Sequence, residues 1–228
     1  MKTPPPPLRR AILPPVLPTV LPTVLIVLLV ANIVPELILQ LTDRGVAGPV
    51  WLRALVYRLA TFQRDLVNSD AVVFPGQTLL MFFTYGFVHT GLWHLLVNML
   101  GLVWLGRLIL AYRTTGTFVI FYLMAMVGAA EVFALIGPPQ GAIAGASGAL
   151  FGLLGVYVVD NGLLADRRAA TPPWQQIMHV MLAALVLALT DMLGQSIMGS
   201  PVAWQAHMGG FVTGALIALA VPPRLRPR

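Results

Sequence analysis

Gly145-Ala146-Ser147-Gly148-Ala149-Leu150-Phe151-Gly152-Leu153-Leu154-Gly155 has the composition of a membrane helix with one hydroxyl at its mouth. Pro138, Pro139 and a run of Gly and Ala keep the chain irregular up to Ser147, and from there to Val159 every residue is apolar or small. Ser147 therefore falls where the unpaired N–H groups and the positive end of the helix dipole collect, a natural place to hold a developing oxyanion. Gly148, Gly152 and Gly155 lie along one side and allow another helix to come close. Phe151, one turn on, covers the same side as Ser147. Taken alone, the segment supports two readings: an ordinary helix cap with packing glycines, or a nucleophile at a helix mouth.

The rest of the chain puts that helix in a membrane. Hydrophobic residues make up 58% and charged residues 10% of 228 positions, with a mean hydropathy of +0.85. Such a balance is too apolar for a soluble domain and indicates an all-α, polytopic membrane protein in contact with lipid along its length. Cysteine is absent, which excludes disulfides and thiolate metal sites. The net charge of +6 does not point to nucleic acid, because the arginines lie between hydrophobic runs, where they act as topology signals.

Residues 1–15 form a short basic tail with a proline run. The apolar stretch that follows continues to about Leu41, too long for the core of a signal peptide, so it reads as a retained first span with Pro18 and Pro22 near its start. Thr42 to Thr90 is a long connection, in which Trp51 to Leu59 has an amphipathic pattern suited to the headgroup layer. Five more apolar runs follow, roughly Leu92–Tyr112, Thr117–Ile136, Ser147–Val159, Ile177–Gln195 and Ala203–Val221. The expected architecture is thus six spans with a long first outer loop, a membrane domain over residues 16–222 and a basic tail over 223–228. With the N-terminus inside, Lys2, Arg9, Arg10, Arg107, Arg113, Arg167, Arg168, Arg224, Arg226 and Arg228 all fall inside, against Arg44, Arg53, Arg58 and Arg64 outside. Both termini are expected to be cytoplasmic, in a plasma membrane.

Three of these runs carry polar groups that membrane helices seldom hold. His94 and Asn98 are four residues apart and share a face of the second span. His207 sits near the outer end of the sixth, with Gly210 and Gly214 on its side offering a groove. Counting back from the inner boundary at ~1.5 Å per residue across a ~30 Å core places Ser147, His207 and Asn98 at one depth, with roughly 10 Å of outer leaflet above each. Packing the two glycine faces together would bring Ser147 within reach of His207, a nucleophile beside a general base. For His94 and Asn98 the plainer alternative is interhelical hydrogen bonding; His89 and His179 read as structural.

These residues resemble the rhomboid family of intramembrane serine proteases. Gly145-Ala146-Ser147-Gly148 matches the family's Gly-x-Ser-Gly, His89-x4-His94-x3-Asn98 resembles its second-helix motif, and Ala206-His207-x2-Gly210-x3-Gly214 resembles its sixth-helix motif. The resemblance implies Ser147 as nucleophile and His207 as base, without an aspartate. It implies His94, Asn98 and the Ser147 N–H as the oxyanion hole, and Gly210 and Gly214 as the close helix contact. It also implies transmembrane proteins as substrates, entry from the lipid between helices two and five, and no metal or organic cofactor. Two positions depart from the family pattern. Phe151 stands where a tyrosine is frequent, and Leu80-Met81 stands where many members have Trp-Arg, which puts the anchoring of the first loop in question.

Glu36, Glu131 and Asp191 lie about a turn from the outer ends of their spans, where they are expected to face a hydrated outer cavity, Asp191 being the nearest thing to a third triad member. A non-catalytic rhomboid-like binding protein and a small transporter are the rival functions. The first typically lacks the serine or the histidine, and the second needs a polar lining in the inner halves of the helices, which is almost wholly missing here. Six helices can already enclose such a site, so the sequence sets no oligomeric state.

Overall fold

The computed structural model describes residues 20–67, 69–160 and 203–221. The expected fifth span with His179 and Asp191, and both basic tails, lie outside the described residues. Within them the protein is mostly helical: α1 (Thr23–Asp43), α2 (Leu52–Ala60), α3 (Gln77–Thr84), α4 (Leu92–Leu110), α5 (Thr115–Ile136), α6 (Ser147–Val158) and α7 (Trp204–Ala220). A two-residue antiparallel ladder pairs β1 (Phe62–Gln63) with β2 (Ala142–Ile143), Phe62 opposite Ile143. Helices α1, α4 and α5 are long and apolar enough to cross a membrane, whereas α6 is shorter at 12 residues.

Local chemistry sets the helix ends. Pro22 immediately precedes α1, and a second proline, Pro35, lies inside it. Thr114 caps α5, its hydroxyl accepting from the Thr117 N–H at 3.2 Å. The far end of α5 meets Arg64, whose Nε and Nη2 donate to the carbonyls of Ala134 (2.7 Å) and Leu135 (3.1 Å) and whose Nη1 donates to Gly137. A cation there satisfies orphan carbonyls and opposes the negative end of the dipole.

Helix α7 packs chiefly against α6 and α5, and glycines make the contacts close. Gly210 stands against the Gly148 carbonyl and Gly214 against that of Gly152, so near that a methyl group on either would overlap backbone. Across α5, Gly128 receives Thr213 of α7, and Gly152 rests on Ala125.

The connection between α1 and α4 is built rather than irregular, and much of it was not foreseen. Helix α2 forms where the amphipathic pattern predicted it, but none of its residues is buried, and polar side chains rather than an apolar face tie it down. Arg53 grips Glu36 with two bonds (Nη2–Oε1 3.0 Å, Nη1–Oε2 3.1 Å) and Asp43 with a third (Nε–Oδ2 2.6 Å). Glu36 is therefore fully buried against a cation, which corrects the expectation that it faces a hydrated cavity. A lone carboxylate could not be held there, and the guanidinium supplies the missing counter-charge. Glu131, by contrast, is exposed.

Anchoring of this connection proceeds without a Trp-Arg pair. Phe62 is fully buried between the edges of Phe82 (5.0 Å), Phe133 (6.2 Å) and Tyr85 (6.3 Å). Gln77 donates to the Arg58 carbonyl at 2.7 Å and accepts from the Val73 N–H at 2.7 Å. Met81, at the family's arginine position, is fully buried.

At the other end of the bundle, Arg113 is more than a topology signal. It binds Asp160 through two parallel bonds (3.0 and 2.5 Å), donates to the Val221 carbonyl and lies 5.1 Å over the Phe121 ring. Both partners of the ion pair are buried.

Candidate active site

The chain enters α6 through Gly145, whose φ of +108° is a backbone state that side chains strain. Its N–H donates to the Tyr85 carbonyl at 2.9 Å. A methyl group on Gly145 would come within 2.5 Å of His94 Cε1 and 2.7 Å of His94 Nε2, so this glycine is the floor on which the His94 ring rests. Ala146 occupies the cap position without a side-chain bond, and Ser147 is the first helical residue. The hydroxyl of Ser147 does not cap the helix; its Oγ lies 2.9 Å from His207 Nε2. That excludes the ordinary-cap reading of this serine.

His207 is in the first turn of α7 and is 6% exposed. The ring of Phe151 stacks on its imidazole, centroids 4.3 Å apart and planes at 28°. Helix spacing explains the arrangement: Ser147 and Phe151 are one turn apart on α6, and they bracket the imidazole that the Gly148–Gly210 contact brings up to them.

On α4, Asn98 is buried. One of its amide hydrogens goes to the carbonyl of His94, 2.8 Å away, and its Oδ1 has no partner in the protein; the second amide hydrogen remains for another acceptor. His94 Nδ1 faces Thr90, 3.0 Å from Oγ1 and 3.5 Å from the backbone N. Its ring meets the edge of His89 at 5.1 Å.

The segment ahead of α4 is gripped from α2. Tyr57 Oη donates to the His89 carbonyl at 2.8 Å, and Arg53 Nη1 donates to the same oxygen at 3.2 Å. Burial opposes charge on Arg53, but its bonds to Glu36, Tyr57 and Asp43 prevail and hold it above the ordinary arginine value. Burial raises Tyr57 as well, against the pull of Arg53.

His89 is fully buried and neither ring nitrogen has a partner. Burial, and then the neighbouring His94, push it down to about 3. The unfolded chain then takes up a proton near pH ~6.5 that the folded chain refuses. The stability gained by keeping His89 neutral is fully present above pH ~6.5 and is lost as pH falls from there towards 3. The melting temperature should drop across that window, and His89→Leu should flatten the drop. An equally steep pH dependence in His89→Leu would place its origin elsewhere.

The structure thus brings Ser147, His207, Phe151, Gly145, Gly148 and Gly210 together at one end of the bundle, with His94 over Gly145 and Asn98 a turn further along α4, while Gly214 makes its close contact with Gly152 further down the helix pair. Glu36 and Glu131 are not part of this group. Thr90 touches it through His94 and Tyr85 through the Gly145 N–H, while Arg53 and Tyr57 reach only the His89 carbonyl behind it. These roles escaped the sequence analysis, although Arg53 and Tyr57 have the i, i+4 spacing that marks a shared face. Among the described residues no group of three or more His, Asp or Glu is arranged to hold a metal.

A family model described as Rhomboid domain matches residues 76–224, well over half of the chain. No curated protein matches the sequence.

Proposed function

We propose, from the premise that this chain belongs to the rhomboid family, that it is an intramembrane serine endopeptidase working through a Ser147–His207 dyad. The observation that carries this reading is the 2.9 Å contact between Ser147 Oγ and His207 Nε2 beneath the stacked ring of Phe151. With its proton on Nδ1, His207 accepts the Ser147 hydrogen as Oγ attacks the scissile carbonyl, and then delivers it to the departing amine. Water releases the acyl group in a second, mirrored step. The oxyanion forms beside the first turn of α6, where the Ser147 N–H, the free amide hydrogen of Asn98 and His94 are its donors.

The substrate is a transmembrane segment of another protein, cut near the outer leaflet. The bias of Lys and Arg supports both ends in the cytoplasm, and the proposed location is the plasma membrane. The full-length protein should react with a serine-directed fluorophosphonate and cleave a model transmembrane substrate, and His207→Ala should do neither. A protein that binds such segments but is never labelled would be a non-catalytic member of the family.

Asn98 separates an oxyanion role from helix packing. Loss of one oxyanion donor costs about 2.7–4 kcal/mol, chiefly in kcat. A membrane hydrogen bond used only for packing contributes about 0.6 kcal/mol to stability. Asn98→Ala should lower kcat by roughly 100- to 1,000-fold with little change in KM. A normal kcat with a lowered melting temperature would leave Asn98 as packing.

A further inference from the structure

We propose that Thr90 is a positioning residue that holds His94 as the neutral tautomer protonated on Nε2, so that this N–H faces the loop leading into Ser147. The inference rests on the hydrolytic reading of the site and adds a residue outside the dyad and its oxyanion donors.

A backbone N–H can only donate. The Thr90 N–H points at His94 Nδ1, so Nδ1 presents its lone pair there and the hydrogen of the neutral ring is on Nε2. The backbone contact is long at 3.5 Å; with Nδ1 bare, the Thr90 hydroxyl, 3.0 Å from the same nitrogen, donates to it as the closer partner. With Nδ1 so occupied, the opposite edge of the ring carries the N–H. That edge, Cε1 and Nε2, lies directly over Gly145, two residues ahead of Ser147. A His94 in the other tautomer would present a lone pair to the place where negative charge develops, and would repel it.

The peptide group that aims this device is clamped from behind. The His89 carbonyl and the Thr90 N–H belong to one trans peptide unit, and in such a unit C=O and N–H point in opposite directions. Tyr57 and Arg53 hold the carbonyl; fixing that end fixes where the N–H points. A cation on the carbonyl also polarises the unit and strengthens its N–H as a donor. Arg53 is in turn set by Glu36 and Asp43. The chain of contacts runs from the carboxylates of α1, through one guanidinium of α2 and one peptide group, to the histidine of α4. Just beyond Thr90, Gly91 at φ +153° turns the chain into that helix.

The test uses full-length protein labelled with 15N-histidine, of which the chain has four; the His94 signals are assigned by their loss in His94→Asn. Ring-nitrogen shifts report the tautomer whether or not the protein cleaves anything. In the native protein His94 should show a bare Nδ1 and a protonated Nε2. Thr90→Val, which keeps shape but removes the hydroxyl, should give a mixture of tautomers and lower kcat about tenfold with KM within about twofold. Thr90→Ser should restore both the shifts and the rate. Tyr57→Phe, acting on the other face of the peptide, should move them in the same direction by less. A protonated Nδ1 in the native protein would overturn the proposal. So would an unchanged tautomer in Thr90→Val, or a serine variant that rescues neither readout. Native protein with the expected tautomer but no hydrolysis of any model substrate would instead remove the proposed function and leave the tautomer assignment standing.

Discussion

Ser147→Ala protein should insert, purify and melt like the native chain while its hydrolysis of a model transmembrane substrate falls by about a millionfold. The asymmetry follows from what one oxygen does in each state. In the resting fold, Oγ makes a single bond to His207, and such a bond in a membrane contributes about 0.6 kcal/mol. The helix loses no cap, because no side chain caps α6. In the proposed reaction the same oxygen is the attacking atom, and without it His207 has no hydroxyl to deprotonate, so the oxyanion donors gain nothing to stabilise. Fluorophosphonate labelling should vanish in parallel. Purified Ser147→Ala protein that still cleaves at a substantial rate would end the dyad mechanism.

The second large effect should come from a methyl group whose nearest neighbours are backbone atoms of Gly148 rather than either side chain of the dyad. Gly210→Ala places a Cβ against the carbonyl of Gly148, and a backbone carbonyl in a helix cannot rotate away. Helices α6 and α7 must separate, at a cost of about 1–3 kcal/mol for forced overpacking. Ser147 directly precedes Gly148, and His207 is three residues before Gly210, so the separation opens the dyad. A misplacement of ~1 Å costs roughly 100-fold in rate. Glycine to alanine inside a helix otherwise stabilises by about 1 kcal/mol, which makes the sign of the result informative. Gly116, also helical but with open space around it, is the control, and Gly116→Ala should melt at or slightly above the native temperature. Native kcat and melting temperature in Gly210→Ala would mean that the two backbones are not held at this distance in the membrane.

The glycine pattern was readable because it is local: spacing along a helix translates directly into a face, and two such faces with a polar residue beside each imply a contact. The helical character of the chain, the three helices α1, α4 and α5 that are long and apolar enough to cross a membrane, and its family followed from residues adjacent in sequence. What escaped were contacts that periodicity does not encode. Nothing near Glu36 announces Arg53, 17 residues on, as its partner, so the carboxylate read as hydrated when it is buried. Helix α3 lay in a stretch read as connection, being only eight residues long and too short for a periodic signal. The β1–β2 ladder joins residues 81 and 79 positions apart in its two pairs. Thr90 was visible four residues before His94, but its use depends on the direction of one peptide group, which only coordinates supply.

The Arg113 cluster has a mechanical consequence. One guanidinium, just past α4 and just ahead of α5, holds Asp160 beyond the end of α6 and the Val221 carbonyl beyond the end of α7. The glycine contacts join α6 and α7 along their length, and Ser147 and His207 meet at the opposite end. A pair fastened at the foot, along the middle and at the head behaves as a stator. Prising it apart would cost Arg113 its bond to the Val221 carbonyl or, if it followed α7, its buried partner Asp160. Under the proposed function, a substrate helix that enters without disturbing this frame would find Ser147 and His207 already at their working distance.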